Sequence, residues 1–161
     1  MKNSSNLAAY LANPTVRAKI DRELAKRSLR EFVRQAWHVI EPLTPFVRGW
    51  HIDAIIEHLE AVTRGQIRQL LINVPPRHMK SLLVSVFWPA WEWILHPERR
   101  WLYASYAASL SIRDSIKCRT LIESRWYQSF WGHLFKLRGD QNTKTRFDKS
   151  NAWVMASTWS S

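Results

Sequence analysis

The chain has 161 residues, 46% hydrophobic and 23% charged, which is enough for one domain with a real core. Lys plus Arg outnumber Asp plus Glu 24 to 13, a formal net charge of +11 that favours a polyanionic partner, nucleic acid before anionic membrane. The single cysteine, Cys118, excludes an intrachain disulfide and reads as a core thiol in a reducing compartment. The first residues lack the apolar core of a signal peptide. The most apolar run, 82–95, is too short to span a bilayer and contains Pro89 and Glu92, so the expectation is a soluble, intracellular protein.

In chain order, Asn13-Pro14 predicts a helix start, followed by Val16, Ile20 and Leu24 at helical spacing among basic residues. Ser28-Leu29-Arg30-Glu31 reads as a capping box for a second helix bearing Phe32, Val33, Ala36, Trp37 and Ile40, ended by Pro42. The basic residues here suit either DNA phosphates or the solvated side of an amphipathic helix, and the second is favoured. Trp50-His51 precedes a helix with Ile52, Ile55, Ile56, Leu59 and Val62 on one face, ended near Gly65; His58 has no second ligand at metal-site spacing. Residues 1–65 thus form a helical lead-in.

Residues 67–74 read as a core strand, apolar enough to lie centrally in a parallel sheet. A polar turn, Pro75-Pro76-Arg77-His78, leads to Met79-Lys80-Ser81 and a helix predicted to be buried nearly all round, with a kink at Pro89. Strand, turn and Lys-Ser at a helix start is the arrangement of a phosphate-binding loop. Backbone N–H groups hold phosphate oxygens, the lysine brings a mobile cation and the serine hydroxyl coordinates magnesium. The standard spacing places glycine where Val74 and Met79 stand, and a solvated lysine after an ordinary turn fits the bare pattern equally well.

Residues 101–106 predict a second strand, giving a βαβ unit, and 107–124 a further helix. Arg113 and Arg119 on that helix are either fingers toward a neighbouring subunit's γ-phosphate or ordinary surface arginines; Arg77, inside the loop, is the better phosphate ligand. Residues 126–135 form an aromatic cluster, 138–149 a polar loop, and 151–157 one more strand.

The run Ile72-Asn73-Val74-Pro75-Pro76-Arg77-His78-Met79-Lys80-Ser81, with Phe87-Trp88-Pro89-Ala90-Trp91 and Ala104-Ser105-Tyr106, resembles the large terminase subunit of tailed bacteriophages. The resemblance runs from about Arg34 to about Tyr127. That family's motor carries a Pro-Pro-Arg-x-Gly-Lys-Ser version of the Walker A loop, and the departure here is Met79 in place of its glycine.

The resemblance implies an α/β fold, with the helical lead-in followed over 66–161 by the first half of a RecA-like P-loop sandwich. It implies ATP and Mg2+ as cofactors. Lys80 and Arg77 act on the phosphates, Ser81 holds magnesium, Pro76, His78 and Met79 complete the loop, and Trp50 and His51 lie near the adenine. Trp50 packed on the core is the competing reading. Implied partners are double-stranded DNA, a small terminase subunit, the portal protein and, at full length, further copies of the chain; there is no membrane, and the place of action is the host cytoplasm.

Turnover of ATP also needs carboxylates at a strand end. Asp53, Asp114, Asp140 and Asp148 do not follow apolar strands. The expectation is therefore a motor fragment lacking Walker B and the nuclease domain, able at best to bind nucleotide. The alternatives are a fragment of another P-loop ATPase or helicase, and a non-enzymatic, basic nucleic-acid-binding protein.

Overall fold

The computed structural model describes residues 12–105, 107–134, 146–149 and 152–158, the last two ranges as strand backbone. Asn13 caps the first of these helices, α1 (Pro14–Arg27), its side-chain oxygen accepting from the Thr15 amide at 2.9 Å. Ser28 caps α2 (Leu29–Ile40) by accepting from the Glu31 amide at 3.5 Å. The reciprocal half of the box is not made, because the Ser28 amide donates to Leu24 and Glu31 pairs with Arg34.

Helix α3 (Trp50–Thr63) ends at Gly65, whose φ of 75° suits a glycine closing a helix. Its Glu60 carboxylate accepts from the Leu29 amide at 2.8 Å, tying the start of α2 to α3. The stripe expected on α1 is less buried than its spacing implies. Ile20 and Leu24 are exposed, and Ala25 is the residue of that helix that enters the core.

The helical run after the loop has three parts: α4 (Lys80–Leu82), a π-turn (Leu83–Phe87) and α5 (Trp88–Leu95). The disturbance predicted at Pro89 takes the form of this π-turn, with the Trp88 amide donating to Leu83. Proline has no N–H, and its ring would crowd the carbonyl four residues back; widening the preceding turn relieves both. Burial nearly all round holds: Leu83, Val86, Phe87, Ala90, Trp91, Trp93 and Ile94 are buried, and buried Glu92 pairs with Arg99.

The remaining elements are β1 (Trp101–Ser105), α6 (Ala108–Glu123), α7 (Arg125–Trp131), β2 (Arg146–Lys149) and β3 (Ala152–Thr158). The sheet runs β1-β3-β2, with β3 parallel to β1 (Trp101 opposite Val154, Ser105 opposite Thr158) and antiparallel to β2. Part of the stretch read as a polar loop is thus strand β2. Asp140 and Tyr106 lie outside the described residues, and so does the side chain of Asp148.

The largest correction concerns residues 67–74. No strand forms there, and among the described residues the backbone from Arg68 to Asn73 takes part in no ladder. Leu70, Ile72 and Val74 pack against the core, while Leu71 is 88% exposed and Asn73 is exposed. Such alternation is that of a half-covered extended segment, not a central strand. The described fold is therefore mostly helical with one small sheet.

One core joins the lead-in to the rest. Phe32 meets Trp126, Tyr127 and Trp131 at ring-centroid distances of 5.5, 6.3 and 5.8 Å. Trp91 donates its indole N–H to the Ala25 carbonyl at 2.9 Å, and Trp88 to the Thr63 hydroxyl at 2.8 Å. Each large side chain buried in this way contributes about 1.5–3 kcal/mol. Cys118 is buried, as a core thiol should be. No helix among the described residues is long and apolar enough to cross a membrane.

Candidate phosphate-binding site

The turn predicted from sequence is built on two left-handed residues, Arg77 (φ 68°) and Met79 (φ 60°, ψ 3°). A side chain in that region costs about 1–2 kcal/mol, which is why glycine is the usual occupant. Met79 stands at the position where the standard loop has its second glycine, so the backbone there keeps the shape the pattern demands. Val74, at the other glycine position, has no positive φ.

His78 closes the turn from within. Its Nδ1 lies 3.2 Å from the Pro75 carbonyl and 3.0 Å from the Pro76 carbonyl. Carbonyls only accept, so Nδ1 carries the proton and Nε2 is left as the open nitrogen. Beyond it, the amides of Arg77 through Leu82 donate to no described residue; the first backbone bond of the helix runs from Leu83 to the Met79 carbonyl at 2.9 Å. Successive amides left open around left-handed residues form an anion-binding concavity.

Charge reinforces that shape. Most nearby cations are already paired: Lys117 with Glu41 at 2.6 Å, Arg48 with Asp53 at 2.7 Å and Arg113 with Asp114 at 2.8 Å. Arg30 also approaches Asp53 at 2.9 Å, as an ion pair outside hydrogen-bond alignment. Arg77 and Lys80 are exposed and have no carboxylate partner among the described residues.

A cleft of about 530 Å³ lies between loop residues 74–82 and Leu110, Arg113, Asp114 and Lys117 of α6. A second chamber of about 450 Å³ shares Lys80, Ser81, Arg113 and Asp114 and continues past Tyr103 and Ser105 to Ser111 and Ser115. These volumes suit the phosphates of a small ligand. The Tyr103 phenol is pushed well above its usual range, first by burial, then by the neighbouring charges of Cys118, Glu92 and Asp114.

The structure brings Pro76, Arg77, His78, Met79, Lys80 and Ser81 together in the cleft wall. Trp50 and His51 sit beside it: the His51 ring lies 5.3 Å from His78 and 6.0 Å from Trp50. Trp50 is 83% exposed, so the reading of it as a core tryptophan fails, whereas Trp37, Trp91, Trp93 and Trp131 are core. Gly49 makes room for His51, since a β-carbon there would stand 2.7 Å from the imidazole Cε1. Arg119 pairs with Glu123 and does not line the cleft, while Arg113 does.

Sequence reasoning missed Asp114. It follows no apolar strand, yet α6 carries it to the cleft wall shared with the loop. The signal was the spacing Leu110, Arg113, Asp114 and Lys117, which puts these residues on one helical face. Among the described residues no group of three or more His, Cys, Asp or Glu is placed to hold a metal by itself.

Comparison with protein-family models, curated proteins and solved structures returns no match.

Proposed function

We propose that the loop Pro75–Ser81 binds the phosphates of a nucleoside triphosphate. The observation that carries this reading is the run of amides from Arg77 to Leu82 that meet no acceptor among the described residues, set around two left-handed residues and flanked by Arg77 and Lys80, which have no carboxylate partner among those residues. In this reading Lys80 and Arg77 bind the phosphates, and the Ser81 hydroxyl, which has no partner among the described residues, is a hard oxygen donor fitting Mg2+. Trp50 and His51 flank the base.

The resemblance in sequence extends the proposal to the ATPase part of a large terminase subunit, the motor that drives viral double-stranded DNA into a procapsid. A RecA-like sandwich is its expected setting. Double-stranded DNA, a small terminase subunit, the portal protein and further copies of the chain are its partners, in the host cytoplasm. The chain by itself binds nucleotide with negligible turnover, because no described strand ends in the paired carboxylates that activate water. Burial of Trp37, Trp91, Trp93 and Trp131 speaks against a surface of base-stacking tryptophans.

Isothermal titration with ATP tests the reading. Lys80→Ala removes a charge-assisted contact of about 1.5–3 kcal/mol, so affinity should fall on the order of 10–100-fold. Equal affinity in the two proteins, or no binding to the parent, overturns it. ATP turnover abolished by Lys80→Ala would refute the proposed inactivity.

A further inference from the structure

Asp114 is a carboxylate held in the cleft with half of its capacity unused. Its side chain is 13% exposed, and both the Nη2 (2.8 Å) and Nε (2.9 Å) of Arg113 contact the same oxygen, Oδ1. Oδ2 takes no hydrogen bond from any described residue. Asp114 lines both chambers, and in both it shares the walls with Lys80 and Ser81. A carboxylate oxygen and a serine hydroxyl facing one cavity are hard donors, which suit a small divalent cation already carrying phosphate oxygens and water.

We propose that Asp114, from helix α6, shares with Ser81 the divalent cation of the bound nucleoside triphosphate. This rests on the loop being a phosphate site. It supplies from a helix the carboxylate that nucleotide-hydrolysing sites ordinarily take from a strand end. The pairing with Arg113 fits the role: one oxygen is fixed by the guanidinium, the other is left to the cation. Arg113, 52% exposed and on the same wall, is free to turn toward the terminal phosphate once the cation takes over part of the carboxylate charge. Among the described residues the cleft walls offer Asp114 as their one carboxylate, which fits binding without turnover.

The test compares ATP affinity with Mg2+ and with EDTA, in the parent chain, Asp114→Asn and Asp114→Glu. Outer-shell partners alone are worth about 10–100-fold in metal affinity, so a direct ligand should show at least about tenfold tightening by Mg2+ in the parent. Asp114→Asn should lose that tightening, with a Mg2+-free affinity no weaker than the parent's because a negative charge facing the phosphates is gone and Arg113 is released, and Asp114→Glu should regain part of the tightening. If Asp114→Asn fails to fold, Mn2+ with ADP in the parent gives the answer: paramagnetic broadening should be strongest at Ser81 and Asp114. Full tightening in Asp114→Asn, or broadening that spares Asp114, overturns the proposal. A parent that binds ATP equally with and without Mg2+ overturns it while leaving the loop reading intact. A parent that binds no ATP at all removes both.

Discussion

Met79 offers the sharpest check on the backbone of the loop. At φ 60° and ψ 3° it occupies a region where a β-carbon costs about 1–2 kcal/mol. Its side chain also packs against the core, so replacing it changes two things at once. Comparing Met79→Gly with Met79→Ala removes that difficulty, because both delete the packing and differ only in the β-carbon. At an ordinary position glycine is the less stable of the two by about 0.4–1 kcal/mol, through the greater freedom of its unfolded chain. Here relief of the left-handed strain outweighs that loss, and Met79→Gly should be the more stable by roughly 0.5–1 kcal/mol. With a urea m-value of about 1–3 kcal/mol/M, the midpoints should differ by on the order of 0.5 M. An alanine variant as stable as the glycine variant, or more so, would refute the left-handed turn.

Other consequences concern the core and the rim of the site. Burial pushes the Tyr127 phenol well above its usual range, and its hydroxyl donates to the Ala90 carbonyl at 2.8 Å. Below about pH 10 both states keep the proton; above it the unfolded chain loses a proton the folded chain retains, so stability should fall as pH rises. Tyr127→Phe should cost about 1 kcal/mol at pH 8 and flatten that alkaline decline in urea melts at pH 8 and 11. Arg99→Ala strands the carboxylate of Glu92, which is 2% exposed. Because Arg99 is itself partly solvated, the cost should be about 2–3 kcal/mol, below that of a fully buried pair, with part recovered by adding Glu92→Gln. Trp50→Ala should leave stability within about 0.5 kcal/mol, since that side chain is 83% exposed. It should weaken ATP by about 1–3 kcal/mol if the indole stacks on the base, and leave pyrophosphate affinity unchanged in the same titration.

Local chemistry was legible where a local rule decides the outcome. Asn13 and Ser28 cap their helices with their own side chains, Gly65 ends α3 with its own φ, and the continuous apolar surface of 82–95 requires burial all round. The turn was legible in part: Lys80-Ser81 after a proline turn marks a helix start, whereas of the two standard glycine positions Met79 is left-handed and Val74 is not.

Residues 67–74 were not legible, because an apolar run specifies a wish for burial but not the partner strand that would supply hydrogen bonds. Leu71 and Asn73 face outward, a property of what lies beside the segment and not of the segment itself. Asp114 escaped for a related reason. Its helix was predictable, but its approach to Lys80 and Ser81 depends on how α6 packs against β1, β3 and the π-turn, which is long-range information. The π-turn lies between these cases: Pro89 announced a disturbance, and packing chose its form.

Titration of the 15N-labelled chain with pyrophosphate, followed by amide chemical shifts, tests the central claim most directly. The account predicts saturable shifts concentrated at the amides of Arg77 through Leu82, with smaller ones at Arg113 and Asp114 across the cleft. Shifts confined to the basic face of α1, or none at the loop, would contradict it.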